Sequence, residues 1–255
     1  MILIDFNQIV VTRIYMFIIK DKKNLSIYQN PLFESSLEND IFTFLRGIHS
    51  DYGSTYGDIV ICCDGKQPWR REIFPHYKHS RKKNKDSNRE MWNFIHKFIN
   101  GFIQKHKYDN LVQIMFHDRV EADDIIARMI SNNPDERHMI VSKDKDFFQI
   151  QSPTVVQYDY SKRKFIYPSP NEYHITEHII RGDSSDGIPN ILSDADTFTV
   201  EGKRQVPMNK SRFSSLIEEF PENYEVNVRK RYNQNKLLIS LGAIPDEICE
   251  LIDTL

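Results

Sequence analysis

Cysteine is scarce. The three present are Cys62, Cys63 and Cys249, and the first two are adjacent, a spacing at which they do not readily pair. No CxxC spacing occurs, so the sequence predicts neither a disulfide framework nor a zinc site, and the thiols read as reduced and intracellular. A basic leader is also missing, since MILIDFN carries an acid at position 5. Long apolar runs are missing as well: Ile9–Ile19 is interrupted by Arg13 and is too short to span a bilayer. The expectation is a cytoplasmic protein. There is no internal repeat or low-complexity tract. Nor is there an overall excess of positive charge, because the formal net charge is −2, unlike a simple nucleic-acid binder. With 255 residues, 40% of them hydrophobic and 27% charged, the chain fits one large domain or a domain with a subdomain.

Charge is instead unevenly distributed. The segment from Lys66 to Lys85 holds eight Lys or Arg and a single acid. The basic residues are Lys66, Arg70, Arg71, Lys78, Arg81, Lys82, Lys83 and Lys85, interleaved with Trp69, Phe74, His76, Tyr77 and His79. Cations neutralise phosphates and aromatic rings stack on bases, so this segment reads as a nucleic-acid footprint. A solvated charged loop is the plainer alternative.

Apolar runs at Ile2–Ile4, Asp58–Cys63, Leu111–Phe116, His138–Ser142 and Val155–Tyr158 predict strands. Helical spacing falls between them, at Ile9–Ile19, Leu37–Gly47, Trp92–Ile103 and Ala122–Ile130. The alternation predicts an α/β fold with a central, mainly parallel sheet flanked by helices. Three of these runs have an acid at or just past the C-terminal end: Asp5, Asp64 and Asp144. Open α/β sheets bind ligands outside the carboxyl ends of their strands, so these acids should meet at one rim. Past about residue 170 the pattern becomes helical, at Glu172–Arg181, Lys210–Phe220, Tyr224–Leu241 and Pro245–Leu255, with an irregular polar stretch from Asp194 to Pro207. The domains expected are 1–170, α/β and including the basic segment, and 171–255, helical.

Acids also gather in three short motifs. VEADD places Glu121, Asp123 and Asp124 together; all three can face one pocket only at a helix N-terminus, where the helix dipole favours negative charge. Plain capping of the helix is the competing reading. SKDKDFF places Asp144 and Asp146 just past a strand. A calcium loop is excluded there, because Gln149 and Val155 stand where Gly and Glu would be needed. RGDSSDGIP places Asp183 and Asp186 three apart, a spacing also compatible with an Asx turn. Nine converging carboxylates could not stay ionised without cations, and hard divalent ions with oxygen ligands suit them. Two Mg2+ ions, with Mn2+ as substitute, are the natural choice for phosphodiester chemistry.

In this order, a strand ending in Asp5, then CDGK, WRRE…YK…R, VEADD, SKDKDFFQ and GDSSDGIPN, the chain resembles the flap-endonuclease and 5′–3′ exonuclease superfamily of PIN-like nucleases. The segment DTFTVEGKRQVPMN and the helices after it look most like the T-even phage ribonuclease H branch. The resemblance implies a metal-dependent 5′ nuclease acting on RNA–DNA hybrids, duplexes or flaps, with a role in primer removal during phage DNA replication. It implies metal ligation by Asp5, Asp64, Glu121 and Asp123 at one site and by Asp144, Asp146, Asp183 and Asp186 at the other, with Asp124 at the same cluster. Lys78 and Arg81 would be catalytic beside Asp146. Tyr77 would stack on a terminal base, and Lys66, Arg70, Arg71, Lys82, Lys83 and Lys85 would bind nucleic acid. The resemblance makes 1–170 the nuclease domain, in which a basic arch over about 66–107 would carry the 5′ strand, and a helix–three-turn–helix element starting at GDSSD would hold the duplex. A replication single-strand-binding protein or a clamp is the partner class suggested, although the C-terminus lacks a clamp-binding tail, and a monomer in the host cytoplasm is expected. Two departures from the superfamily pattern are Asn190-Ile191-Leu192-Ser193-Asp194 in place of a glycine-rich hairpin and Lys143 in place of Gly. A PIN-type single-strand ribonuclease and a catalytically silent junction-binding protein remain as alternatives.

Overall fold

The computed structural model describes residues 1–20, 27–79, 88–108, 110–168 and 175–255. The chain divides into two compact units: Met1–Lys66 with Asn88–Tyr167, and Gln67–Ser87 with Pro168–Thr254.

The first unit is a six-stranded sheet. Its strands are β1 (Ile2–Asp5), β2 (Ile59–Cys63), β3 (Val112–Phe116), β4 (His138–Val141), β5 (Val155–Asp159) and β6 (Lys164–Ile166), in the order β3-β2-β1-β4-β5-β6. All neighbours are parallel except β5 and β6. The central strands are covered on both faces, which is why they read as unbroken apolar runs: β2 is buried at every residue and β4 likewise. On the β3 edge the pattern loosens, with Val112 and Met115 buried and Gln113 exposed. Helices α1 (Phe6–Lys20), α2 (Phe33–Tyr56), α4 (Arg89–His106) and α5 (Ala122–Asn132) pack on this sheet. One apolar core joins Phe6, Ile9 and Ile14 of α1, Leu37, Ile41 and Leu45 of α2, and Ile95, Phe98 and Phe102 of α4. The Phe6 and Phe102 rings lie 4.6 Å apart.

β6 is not evident from the sequence. It returns antiparallel to β5 through a turn that lacks glycine. There the Asp159 carboxylate accepts from the Ser161 and Lys162 amides at 2.9 and 3.2 Å, while Arg163 takes φ 52°. An aspartate folding its own backbone does the work that a glycine signal usually announces.

The second unit is helical, built from α6 (Ile175–Arg181), α7 (Lys210–Glu218), α8 (Val226–Ile239) and α9 (Asp246–Asp253). The stretch Asp194–Pro207 contains turns and no regular element, as expected. The described part of the basic segment, through His79, packs with these helices. Phe74 and Tyr77 share a core with Ile179, Ile180, Ile188, Ile191, Tyr224, Tyr232, Leu238 and Ile239. This corrects the expectation that the aromatics of this segment present themselves to bases, since Trp69, Phe74 and Tyr77 are all buried. Arg70, on the short helix α3 (Arg70–Ile73), is corrected likewise. It is 1% exposed, its Nε donates to the Leu238 carbonyl at 3.0 Å, and its guanidinium lies 4.6 Å from the Trp69 ring. A guanidinium so enclosed ties α3 to the end of α8 and does not face solvent phosphate. Arg81, Lys82, Lys83 and Lys85 lie outside the described residues.

Truncating Arg70 removes buried packing and strands the Leu238 carbonyl. Arg70→Ala is expected to cost about 2–4 kcal/mol in urea unfolding. A change below about 0.5 kcal/mol, the range of an ordinary surface substitution, would contradict the buried placement.

Candidate active site

In the first unit, Asp5, Asp64 and Asp144 stand at or just past the ends of β1, β2 and β4. From β1 the chain runs outward through β2 to β3, then returns to place β4 on the other side of β1. This reversal opens a crevice at the carboxyl ends of β1 and β4, the usual ligand position in such sheets. The sequence-based expectation that the three acids share a rim is met.

Each acid is fixed by neutral groups. Asp5 accepts from the Gln8 amide at 3.3 Å and from the Ser142 hydroxyl at 2.9 Å. Asp64 accepts from the Ala122 amide at 2.9 Å, and its own amide donates to Asn7 Oδ1 at 3.1 Å. Asp144 accepts from the Asp146 amide at 3.0 Å, and its amide donates to the Ser142 hydroxyl at 3.1 Å. Gln8, Asn7 and Ser142 were not singled out from the sequence. The available signal was their adjacency to DFNQ and SKD, polar residues flanking the acids.

Gly65 makes the junction with Asp64 possible. Its amide donates to the Val120 carbonyl at 2.7 Å, and a Cβ there would fall 2.3 Å from the Asp118 carbonyl oxygen and 2.4 Å from that of His117. Only glycine lets the end of β2 approach the loop that delivers Glu121.

Glu121 is the N-cap of α5, with Asp123 and Asp124 in its first turn. Glu121 and Asp124 form a capping box; the Glu121 amide donates to Asp124 Oδ2 at 3.2 Å, and the Asp124 amide donates to Asp123 Oδ1 at 2.9 Å. Capping and convergence are therefore the same arrangement. One carboxylate oxygen from each of the three lies within 4.8 Å of the others, and among the described residues this is the one such group of three or more potential ligands. Asp124 and Glu121 are buried and Asp123 half-buried.

The cluster's electrostatics are unfavourable by themselves. Burial pushes the Asp5 carboxyl up to about 7, and the nearby charges of Asp64 and Asp144 push in the same direction, against the hydrogen bonds from Ser142 and Gln8. Burial also raises the thiols of Cys62 and Cys63 well above the ordinary range, leaving them inert. A crowd of hard carboxylate oxygens without an imidazole or thiolate among them fits a hard divalent cation.

In the second unit, Lys78 and Asp186 are brought together. The Lys78 amide donates to the Asp186 carbonyl at 2.7 Å, its ammonium lies 3.6 Å from Asp186 Oδ2, and the Tyr77 hydroxyl donates to that same oxygen at 3.1 Å. Lys78 takes φ 55°, an unusual backbone for a non-glycine residue. The opposing Gly187 has φ 76°, and a Cβ on it would lie 3.1 Å from the His76 carbonyl oxygen. Asp183 forms an Asx turn, accepting from the Ser185 amide at 2.8 Å and hydroxyl at 2.7 Å, with His178 Nε2 at 3.7 Å. Burial alone would raise its carboxyl, but hydrogen bonds from His178 and Ser185 outweigh it and hold Asp183 well below the usual carboxylate range. Lys66 and Arg71 are exposed. No helix of the described residues is long and apolar enough to cross a membrane.

An open, mainly parallel sheet with an acid cluster at its carboxyl edge defines a class of metal-dependent α/β enzymes suited to phosphoryl chemistry, and the comparisons are specific. The family of the 5′–3′ exonuclease N-terminal, resolvase-like domain matches residues 1–178, and that of the T4 RNase H C-terminal region matches residues 169–254. The chain belongs to the 5′–3′ exonuclease family. It is 30% identical over 264 aligned positions to the ribonuclease H of Enterobacteria phage T4, covering 98% of this chain and 84% of that protein. It is 32% identical over 149 positions to the flap endonuclease Xni of Colwellia psychrerythraea, covering 57% and 47%. Among solved structures it is similar to the bacteriophage T5 D15 protein co-crystallized with metal ions, with TM-score 0.66 and 16% identity over 99% and 96% of the two chains. It is similar also to the T5 D15 flap endonuclease in a complex with DNA and metal ions, with TM-score 0.67 and 15% identity over the same shares. At these identities the structures show a shared fold.

Gly65→Ala forces Asp64 and the loop before Glu121 apart. Misplacing reacting groups by about 1 Å commonly costs on the order of 100-fold, and a loss of nuclease activity of at least that size is expected in a single-turnover assay. Near-wild-type cleavage by Gly65→Ala would contradict the close packing described.

Proposed function

We propose that this chain is a Mg2+-dependent 5′ nuclease that hydrolyses phosphodiester bonds at the 5′ ends of RNA–DNA hybrids, duplexes and flaps. The observation that carries this reading is the convergence of acids from β1, β2, β4 and the start of α5 on a single rim, where Asp5 is pushed up to about 7. Such a cluster is costly to fold without cations. Asp5, Asp64, Glu121, Asp123, Asp124, Asp144 and Asp146 are the proposed ligands in the first unit. Asp183 and Asp186 join the set on the strength of the family resemblance. Two bound ions would supply Lewis acidity, a water of lowered pKa and stabilisation of the leaving 3′ oxygen.

The protein's own groups orient and neutralise. The Ser142 hydroxyl and Gln8 amide donate to the Asp5 carboxylate, and the Asn7 and Gln8 side chains accept from the Asp64 and Lys143 amides, all without adding charge. Lys78, kept ready by Asp186 and Tyr77, is proposed to meet the phosphate as negative charge develops, an electrostatic role. Arg81 is its proposed companion. Lys66 and Arg71, with Lys82, Lys83 and Lys85, are proposed to draw in the strand by phosphate contacts, which carry no base code. Selectivity therefore comes from shape and from the free end. The helical unit is proposed to hold the duplex. Removal of RNA primers in phage replication is the proposed setting, in keeping with the similarity to a phage ribonuclease H, and a single-strand-binding protein or clamp is proposed as partner from the family resemblance alone.

The test uses three labelled substrates: a hybrid with a free RNA 5′ end, a DNA 5′ flap, and the same flap with its 5′ end blocked. Each is incubated with Mg2+ or with EDTA. Cleavage is expected only with Mg2+ and only from free 5′ ends, and Asp146→Asn is expected to abolish it while leaving DNA binding nearly intact. Binding without cleavage under every metal condition would favour a silent junction-binding protein instead.

A further inference from the structure

Gln157 lies within β5, next to β4, and has no solvent exposure. A buried amide is unfavourable unless its donors and acceptor are matched. Here its Nε2 donates to two carbonyls of the β4 exit loop, that of Ser142 at 3.0 Å and that of Asp144 at 2.6 Å. Its Oε1 accepts from Gln151 Nε2 at 2.9 Å, and Gln151 Nε2 is also 3.2 Å from the Ile166 carbonyl. The donor end of the amide therefore faces the acid loop, and its acceptor end is anchored away from it.

The same loop is held elsewhere by Gln8, whose Oε1 accepts from the Lys143 amide at 2.7 Å and from the Ser142 hydroxyl at 3.3 Å. Lys143 is further tied by its ammonium to Thr12 Oγ1 at 3.2 Å. Asp144, once fixed, caps the Asp146 amide with its own carboxylate. Gln157 therefore acts on two acids through one backbone. An apolar residue would suit strand β5 by composition, since VVQYD is otherwise a core run. What Leu or Met could not do is satisfy the carbonyls of Ser142 and Asp144.

We propose that Gln157, oriented by Gln151, is a positioning residue that fixes the Asp144–Asp146 loop for divalent-cation binding. This rests on the metal-site reading above. Groups that orient ligands in this way are commonly worth about 10–100-fold in metal affinity or activity.

The test compares the full-length protein with Gln157→Met, which keeps volume and loses both donors, and Gln151→Ala, which leaves Gln157 in place but frees its acceptor end. Two quantities are read: the Mg2+ concentration giving half-maximal cleavage, and Ca2+ binding by calorimetry. Gln157→Met is expected to raise the Mg2+ requirement about 10-fold or more and to weaken Ca2+ binding by a similar factor. Turnover at saturating Mg2+ and KM for nucleic acid should change much less. Gln151→Ala is expected to shift the same quantities in the same direction by a smaller factor. A Gln157→Met protein that melts lower yet binds Ca2+ and uses Mg2+ like wild type would make Gln157 a packing residue only and overturn the proposal. Should Gln157→Met fail to fold, an unaltered Mg2+ requirement in Gln151→Ala overturns it equally. A wild-type chain that neither binds Ca2+ nor cleaves would instead overturn the metal reading itself.

Discussion

Repulsion among carboxylates at the carboxyl edge of the sheet is the constraint around which the first unit is organised. The parallel strands β1, β2 and β4 each deliver an acid to the same rim, and the N-terminus of α5 adds three more. Asp5 registers the consequence: enclosed among its neighbours, its carboxyl is pushed up to about 7. A carboxyl whose folded pKa is raised binds its proton more tightly in the folded chain than in the unfolded one. In the metal-free protein its contribution to stability therefore falls as pH rises from about 4 towards 7 and stays lost above. A divalent cation reverses this penalty, which ties the energetics of the fold to its chemistry.

Neutral groups hold the neighbourhood of the rim. The acids are tied by a hydroxyl, by side-chain amides and by backbone N–H groups, from Ser142, Gln8, Asn7 and the first turn of α5. None of those ties is an ion pair that a metal would have to break. In the second unit the logic differs. Asp186 is paired with Lys78, and Asp183 is held ionised by His178 and Ser185. The same GDSSDGIP segment that carries these acids is shaped by Gly182 and Gly187 at positive φ, with backbone packed too closely for a side chain at Gly182.

Much of this was legible because buried parallel strands announce themselves: ILID, IVICC and HMIV are continuous apolar runs, and the acids that follow them stand out. The position of VEADD at a helix start was also readable, since three adjacent acids can meet only there. Other features were hidden for identifiable reasons. β6 is a three-residue strand reached by an aspartate turn without glycine. The aromatics and Arg70 of the basic segment read as a nucleic-acid surface, because composition does not distinguish an aromatic that stacks on a ligand from one that fills a helical core. Nothing in the apolar run Val155–Tyr158 marks Gln157, whose value lies in two carbonyls 15 and 13 residues earlier.

Like charge destabilises the assembled rim until a divalent ion joins it. The most direct measurement is the melting temperature of the wild-type protein at pH 7.5 in EDTA and in Mg2+, with NaCl matched for ionic strength. Ligand binding to the folded state stabilises it by about 2.7 kcal/mol at a hundredfold excess over Kd, which at about 2–4 °C per kcal/mol for a chain of this size is roughly 5–10 °C. A rise of that order with Mg2+ but not with NaCl is the predicted result, and it should shrink in Asp5→Asn, whose metal-free form melts higher than wild type. Equal melting temperatures in EDTA and Mg2+ would contradict the account.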